Sequence, residues 1–206
     1  IMGPGPEWWG IAVLAIGVVS ALLGVLYALM EHDLKRLLAF HSIENIGIIL
    51  IGVGVALLAA GQGAVALATV ALTAALFHTL NHALFKSALF LAAGSIQAAV
   101  GHRDLNGLGG LARTMPVTAF AFVIGAAAIS GLPPLNGFAS EWLTFQGLLG
   151  AGAATALSPL ARSSALLAIG GLGLTAALAV ACFVKATGVG FLALPRSPGA
   201  AAARET

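Results

Sequence analysis

Segments of twenty or more residues with almost no charge recur along this chain, and they leave it few ways to fold. A helix needs about 20 apolar residues to cross a bilayer, and several spans here reach that length. Soluble domains carry about 25% charged residues, whereas this sequence carries 8%, with a mean hydropathy of +1.04 and 27 glycines. The composition predicts an all-α, polytopic membrane helix bundle. It excludes a soluble globular domain, and no Lys/Arg-rich run points to nucleic acid. The single cysteine, Cys182, rules out a disulfide framework within the chain and reads as a small apolar packer.

Five spans are expected, over about 8–30, 37–60, 64–100, 116–149 and 164–185. Trp8 and Trp9 open the first and suit an interfacial aromatic belt. The third is too long for a hydrocarbon core of ~30 Å, so it must tilt, protrude or break. Residues 1–193 then form one five-helix unit, with 194–206 a polar tail. Ile1 at the start implies missing upstream residues or initiation at Met2. No signal peptide is expected, and the tail leads toward a missing region, so the chain reads as a fragment. With one crossing per span, Lys35, Arg36, Arg103, Arg113, Lys185, Arg196 and Arg204 share one side, and Arg162 stands alone on the other. The positive-inside rule then puts the N-terminus outside and the tail in the cytoplasm, in a cytoplasmic (inner) membrane. Lys35 and Arg36 read as topology signals and interface anchors.

Within the third span, His78, His82 and Lys86 stand four residues apart. A step of four turns an α-helix by about 400° and raises it about 6 Å, so the three stack on one face. Ionisable groups at membrane depth are costly and usually face a bundle interior or a water-filled path. His-x-x-x-His resembles half a zinc site, but Thr79 stands where a metalloprotease has Glu, and no Cys or Asp lies near as a third ligand. No metal is expected. A structural reading has the histidines bonding across helices and Lys86 snorkelling, but Lys86 lies deep for its stem to reach an interface. A proton relay is the favoured reading, because imidazole titrates near neutral pH.

Gly131, Pro133, Pro134 and Gly137 interrupt the fourth span, and a helix cannot continue through them. Irregular backbone at membrane depth is tolerated only against protein or a water-filled cavity, and broken helices of this sort mark ion sites in transporters. Glu141 follows at the start of the second half-helix. It either complements the helix dipole near an interface or exchanges protons at half-depth; apolar sequence on both sides favours exchange. His41 and Glu44 lie one turn apart in the second span. They form either a side branch of the same polar path or a local structural pair.

Three stretches, HDLKRLLAFHSIENIGIILIGVG (32–54), ALFHTLNHALFKSALFLAAGSI (75–96) and SGLPPLNGFASEWLTFQGLL (130–149), closely resemble the proton-pumping, antiporter-like membrane subunits of respiratory complex I and the Mrp antiporters. Ser42–Gly47, the double-His-plus-Lys helix and the Pro-Pro-Leu-Asn-Gly-Phe break are most similar to the hydrogenase-4 component B and formate hydrogenlyase subunit 3 branch. The resemblance implies a second five-helix repeat of a two-repeat subunit. It also implies a proton path through His78, His82, Lys86 and Glu141, and partners comprising other membrane subunits and a peripheral redox arm. No Cys cluster or nucleotide loop is present, so no cofactor and no redox chemistry of its own are expected. A complex I or Mrp-type subunit and a non-conducting structural subunit are the rival readings.

Overall fold

A computed structural model describes residues 5–205. Four helices are long and apolar enough to cross a membrane: α1 (Glu7–Met30), α2 (Leu34–Gly61), α3 (Val65–Val100) and, later in the chain, α7 (Pro159–Phe191). Between α3 and α7 lie a short α4 (Leu111–Thr114), then α5 (Pro116–Ile129) and α6 (Asn136–Ala153); α8 (Pro198–Ala202) ends the chain. The fifth crossing is α5 and α6 in series. Gly125 of α5 packs on Leu89, Asn136 bonds Asn81, and Gly150 of α6 packs on Leu67, so the two half-helices run in line, antiparallel to α3. Together with α1 lying parallel to α7, this gives a bundle whose crossings alternate in direction.

Span boundaries depart from the sequence expectation in physically readable ways. The charged turn 31–36 ends early, because the Asp33 carboxylate accepts from the Lys35 and Arg36 amides and starts α2 at Leu34. The third span is one unbroken helix of 36 residues, about 54 Å long. Gly137, assigned to the break, lies in the first turn of α6, so the irregular segment is 130–135. Ser158 caps α7 and Pro159 fills its first position, which lengthens the fifth span to Pro159–Phe191. Lys185, expected at the end of that span, therefore lies inside α7, where Nζ donates to the carbonyls of Leu29 (2.5 Å) and Glu31 (3.0 Å) and closes the end of α1.

Interhelical packing uses small residues where backbones meet. A Cβ on Gly24 would lie 2.5 Å from the Glu44 amide nitrogen, and one on Gly54 would lie 2.6 Å from that of Leu14. These positions make α1 and α2 a tight antiparallel pair. At the α1 start, the Glu7 carboxylate accepts from the Ser158 hydroxyl and from Gln62 Nε2 (3.3 Å), joining three helix ends. Trp8 and Trp9 stand exposed beside this knot, edge to face with centroids 6.0 Å apart. At the opposite end Arg103 pairs with Asp33 at 2.5 Å and Arg36 with Glu31 at 3.2 Å. That end also carries Lys35, Arg113, Arg196 and Arg204, whereas Arg162 is the one Lys/Arg residue near the Glu7 end.

The polar tail is not a free loop. Ser197 and Pro198 start α8, Gly199 packs against the Val100 carbonyl, and His102 Nε2 meets Ser197 Oγ at 3.2 Å. The Glu205 carboxylate then accepts from the Val117 amide (2.9 Å), the Thr118 amide (3.1 Å) and the Thr118 hydroxyl, supplying the N-terminal cap that α5 lacks in its own sequence. The Thr118 hydroxyl, and then the two amides, hold the Glu205 carboxyl below the usual carboxylate range. A depressed pKa stabilises the docked tail above the unfolded value and loses that stabilisation as pH falls through the folded one. Limited trypsin digestion at Arg196 and Arg204 should therefore be slow at neutral pH and accelerate in acid, relative to an unstructured control peptide. Glu205→Gln should remove most of that pH dependence.

Candidate functional site

Polar side chains of α2, α3 and α6 meet inside the bundle, level with the middle of α3. His78 is fully buried; its Nε2 lies 3.1 Å from Asn45 Oδ1 on α2, and its Nδ1 lies 2.9 Å from Ser140 Oγ on α6. An amide oxygen only accepts, so Nε2 carries a proton. Nδ1 of the neutral ring then accepts from the Ser140 hydroxyl. Should the ring gain a second proton, Ser140 can turn its hydrogen to the Gly137 carbonyl, 3.1 Å away, and accept instead. Both states of His78 are thus satisfied without moving a helix.

Asn45 carries the connection along α2. Its Nδ2 donates to the His41 carbonyl at 2.8 Å and reaches Glu44 Oε2 at 3.4 Å. His41 Nδ1 bonds the same carboxylate oxygen, and both residues of this pair are buried. The His41 ring lies 4.6 Å from that of Phe183 on α7, and its Nε2 is buried without a hydrogen-bond partner among the described residues. The result is a continuous run of hydrogen-bonding groups, His41–Glu44–Asn45–His78–Ser140, across three helices.

Lys86 is buried, and its ammonium donates to the Leu38 carbonyl on α2, with the Phe90 ring 5.8 Å from Nζ. His82, on the same face of α3, is half-buried. Its ring packs edge-on to Phe85 at 5.6 Å, and its Nε2 has no partner among the described residues. The predicted column is therefore one helix face, but only its first and last members engage α2.

The break at 130–135 places Glu141. Gly131 has φ +63°, a left-handed conformation that favours glycine. A Cβ there would also lie 2.5 Å from Glu141 Oε2, so the missing side chain makes room for the carboxylate. Pro133 and Pro134, joined by a cis peptide, complete the turn. Glu141 is buried and makes no side-chain hydrogen bond among the described residues; it lines a cavity of about 360 Å³ with Ser130, Leu132, Phe138 and Trp142 of the broken crossing and Ala176 and Val180 of α7. Ser140 thus faces α3 while its neighbour Glu141 faces α7. A reciprocal amide pair, Asn81 Nδ2 to the Asn136 carbonyl (2.8 Å) and Asn136 Nδ2 to Asn81 Oδ1 (3.2 Å), fastens the start of α6 to α3.

Asn45, Ser140, Asn81 and Asn136 are the polar partners that the sequence reading passed over. Each is a neutral polar residue on an otherwise apolar helix face, a signal available in the sequence. Among the described residues no group of three His, Cys, Asp or Glu comes together as a metal site.

Buried ionisable groups bridged across membrane helices, beside a helix broken at mid-depth, define a multi-pass membrane protein with an internal polar path. The chain belongs to the NADH:quinone oxidoreductase/Mrp antiporter transmembrane family, whose model matches residues 2–168. It is 48% identical over 200 residues to formate hydrogenlyase subunit 3 of Escherichia coli, covering 95% of this chain and 32% of that one. It is 50% identical over 200 residues to hydrogenase-4 component B of the same organism, covering 97% and 30%. The chain thus spans about a third of the length of these relatives. Among solved structures, the Mrp complex from Dietzia sp. DQ12-45-1b matches with a TM-score of 0.73 and 30% identity, over 94% of this chain and 19% of the other.

Proposed function

We propose that this chain is part of a proton-translocating membrane subunit of a hydrogenase-4 or formate hydrogenlyase type complex. Other membrane subunits and a peripheral arm would be its partners, and the redox chemistry would lie with them. The observation that carries this reading is the buried run His41–Glu44–Asn45–His78–Ser140, because it offers a proton continuous hydrogen-bonding groups across three helices. Lys86 and His82 flank it on α3, and Glu141 takes the terminal position beside the cavity at the break. Charge on one member alters the others electrostatically, which couples their titrations. The excess of Lys and Arg at the 31–36 and 101–115 end supports a cytoplasmic location for that end, an extracytoplasmic N-terminus and the cytoplasmic membrane of the cell.

Replacing Lys86 by Met keeps most of the stem volume and removes the charge. Proton uptake by inverted membrane vesicles, counted per redox turnover, should fall by roughly an order of magnitude or more. Unchanged uptake per turnover would leave the non-conducting structural reading standing in its place. The likeness to the Mrp complex supports a second reading, sodium/proton antiport. It requires that uptake depend on sodium, whereas the hydrogenase-type reading requires that it not.

A further inference from the structure

The outer face between α5 and α7 holds an apolar groove with one cation at its mouth. Val123, Ala127, Val184, Gly188 and Leu192 line it around about 300 Å³. It opens sideways, since Val184 is 67% exposed. Toward the basic end it continues through Leu192 into a second cavity of about 310 Å³ lined by Arg113 and residues 191–194. Toward the bundle middle it shares Ser130, Leu132 and Val180 with the cavity that holds Glu141.

Arg113 differs from the other arginines of its end. Arg36 and Arg103 are paired with carboxylates, and Arg196 and Arg204 donate to backbone carbonyls. Arg113 is exposed and makes no side-chain hydrogen bond or ion pair among the described residues. A ligand that fits has an apolar tail along the helices and a negative head at the polar end, and it enters from the side. Basic pockets between membrane helices on the cytoplasmic side bind anionic lipid head groups in this manner. We propose that the α5–α7 groove binds one anionic phospholipid from the bilayer, with an acyl chain along Val123, Ala127, Val184 and Gly188 and its phosphate at Arg113. The assignment is independent of the proton path.

The test uses the full chain purified from membranes in mild detergent, stripped of lipid and exposed to phosphatidylglycerol or phosphatidylcholine, with bound lipid counted by native mass spectrometry. One phosphatidylglycerol should be retained in preference to phosphatidylcholine. A Cβ at Gly188 has nothing within 4 Å, so Gly188→Leu fills the groove without a clash and should abolish that retention at an unchanged melting temperature. Arg113→Gln, at an exposed position, should weaken phosphatidylglycerol binding about fivefold and leave phosphatidylcholine unaffected, as expected for loss of one cation near a head group. Equal retention of the two lipids by the unaltered protein overturns the proposal. So does identical lipid content in unaltered and Gly188→Leu protein, the outcome if another protein segment fills the groove.

Discussion

Glu141→Gln is expected to lower proton translocation by roughly a hundredfold or more while leaving the bundle assembled. The amide matches the carboxyl in size, and Glu141 has no hydrogen-bond partner among the described residues whose loss would destabilise the fold. What changes is the ability to hold and release a proton beside the cavity at the break. Glu141→Asp restores that ability on a shorter stem and should recover part of the activity, which a purely steric role would not produce. The measurement is proton uptake per turnover in vesicles, with thermal melting in detergent as the control for folding. Normal uptake in Glu141→Gln would remove Glu141 from the path. It would leave the α2–α3–α6 run to be tested through Lys86.

Gly137→Ala should destabilise the protein by about 3 kcal/mol or more, although the change adds one methyl group. In a free helix the same exchange favours the folded state by about 1 kcal/mol, since alanine is the better helix former. Here the new Cβ would be driven into the Ala128 carbonyl oxygen, at the place where the end of α5 meets the start of α6. Backbone faces backbone, so neither side can yield by changing a rotamer. Gly94→Ala in α3 and Gly173→Ala in α7 are the controls, because a Cβ at either meets nothing within 4 Å. Those two should melt at or slightly above the parent temperature, and Gly137→Ala well below it. Equal melting temperatures for all three would mean that the half-helices are not locked together as described.

Much of this architecture is legible in the residues because membrane spans are set by composition, and a run such as Gly131–Pro134 can only interrupt a helix. The position of Glu141 just beyond the break follows from the same order of residues. Lateral pairing is a different matter. Helical spacing put His78, His82 and Lys86 on one face, but it does not say which of them meets a neighbour. That depends on what α2 and α6 present opposite, and Asn45, Ser140 and the Leu38 carbonyl stand opposite only His78 and Lys86. The His41–Glu44 pair was equally consistent with a local contact, and it takes Asn45 to join it to α3. The tail shows both sides of the limit. Ser197 followed by Pro198 is a readable helix start, whereas the capping of α5 by Glu205 links residues 87 and 88 positions apart and leaves no local trace.

The amide pair between Asn81 and Asn136 makes the two leaves of the broken crossing mechanically unequal. One leaf, α6, is riveted to the spine of the bundle at the break itself. The other, α5, is held by apolar side chains along its length and by a single carboxylate at its far tip. Any flexing at 130–135 would swing α5 as a door on a fixed post, with Ser140 and Glu141 carried by the post. In such a device the proton-bearing group stays still, and the path to it opens and closes.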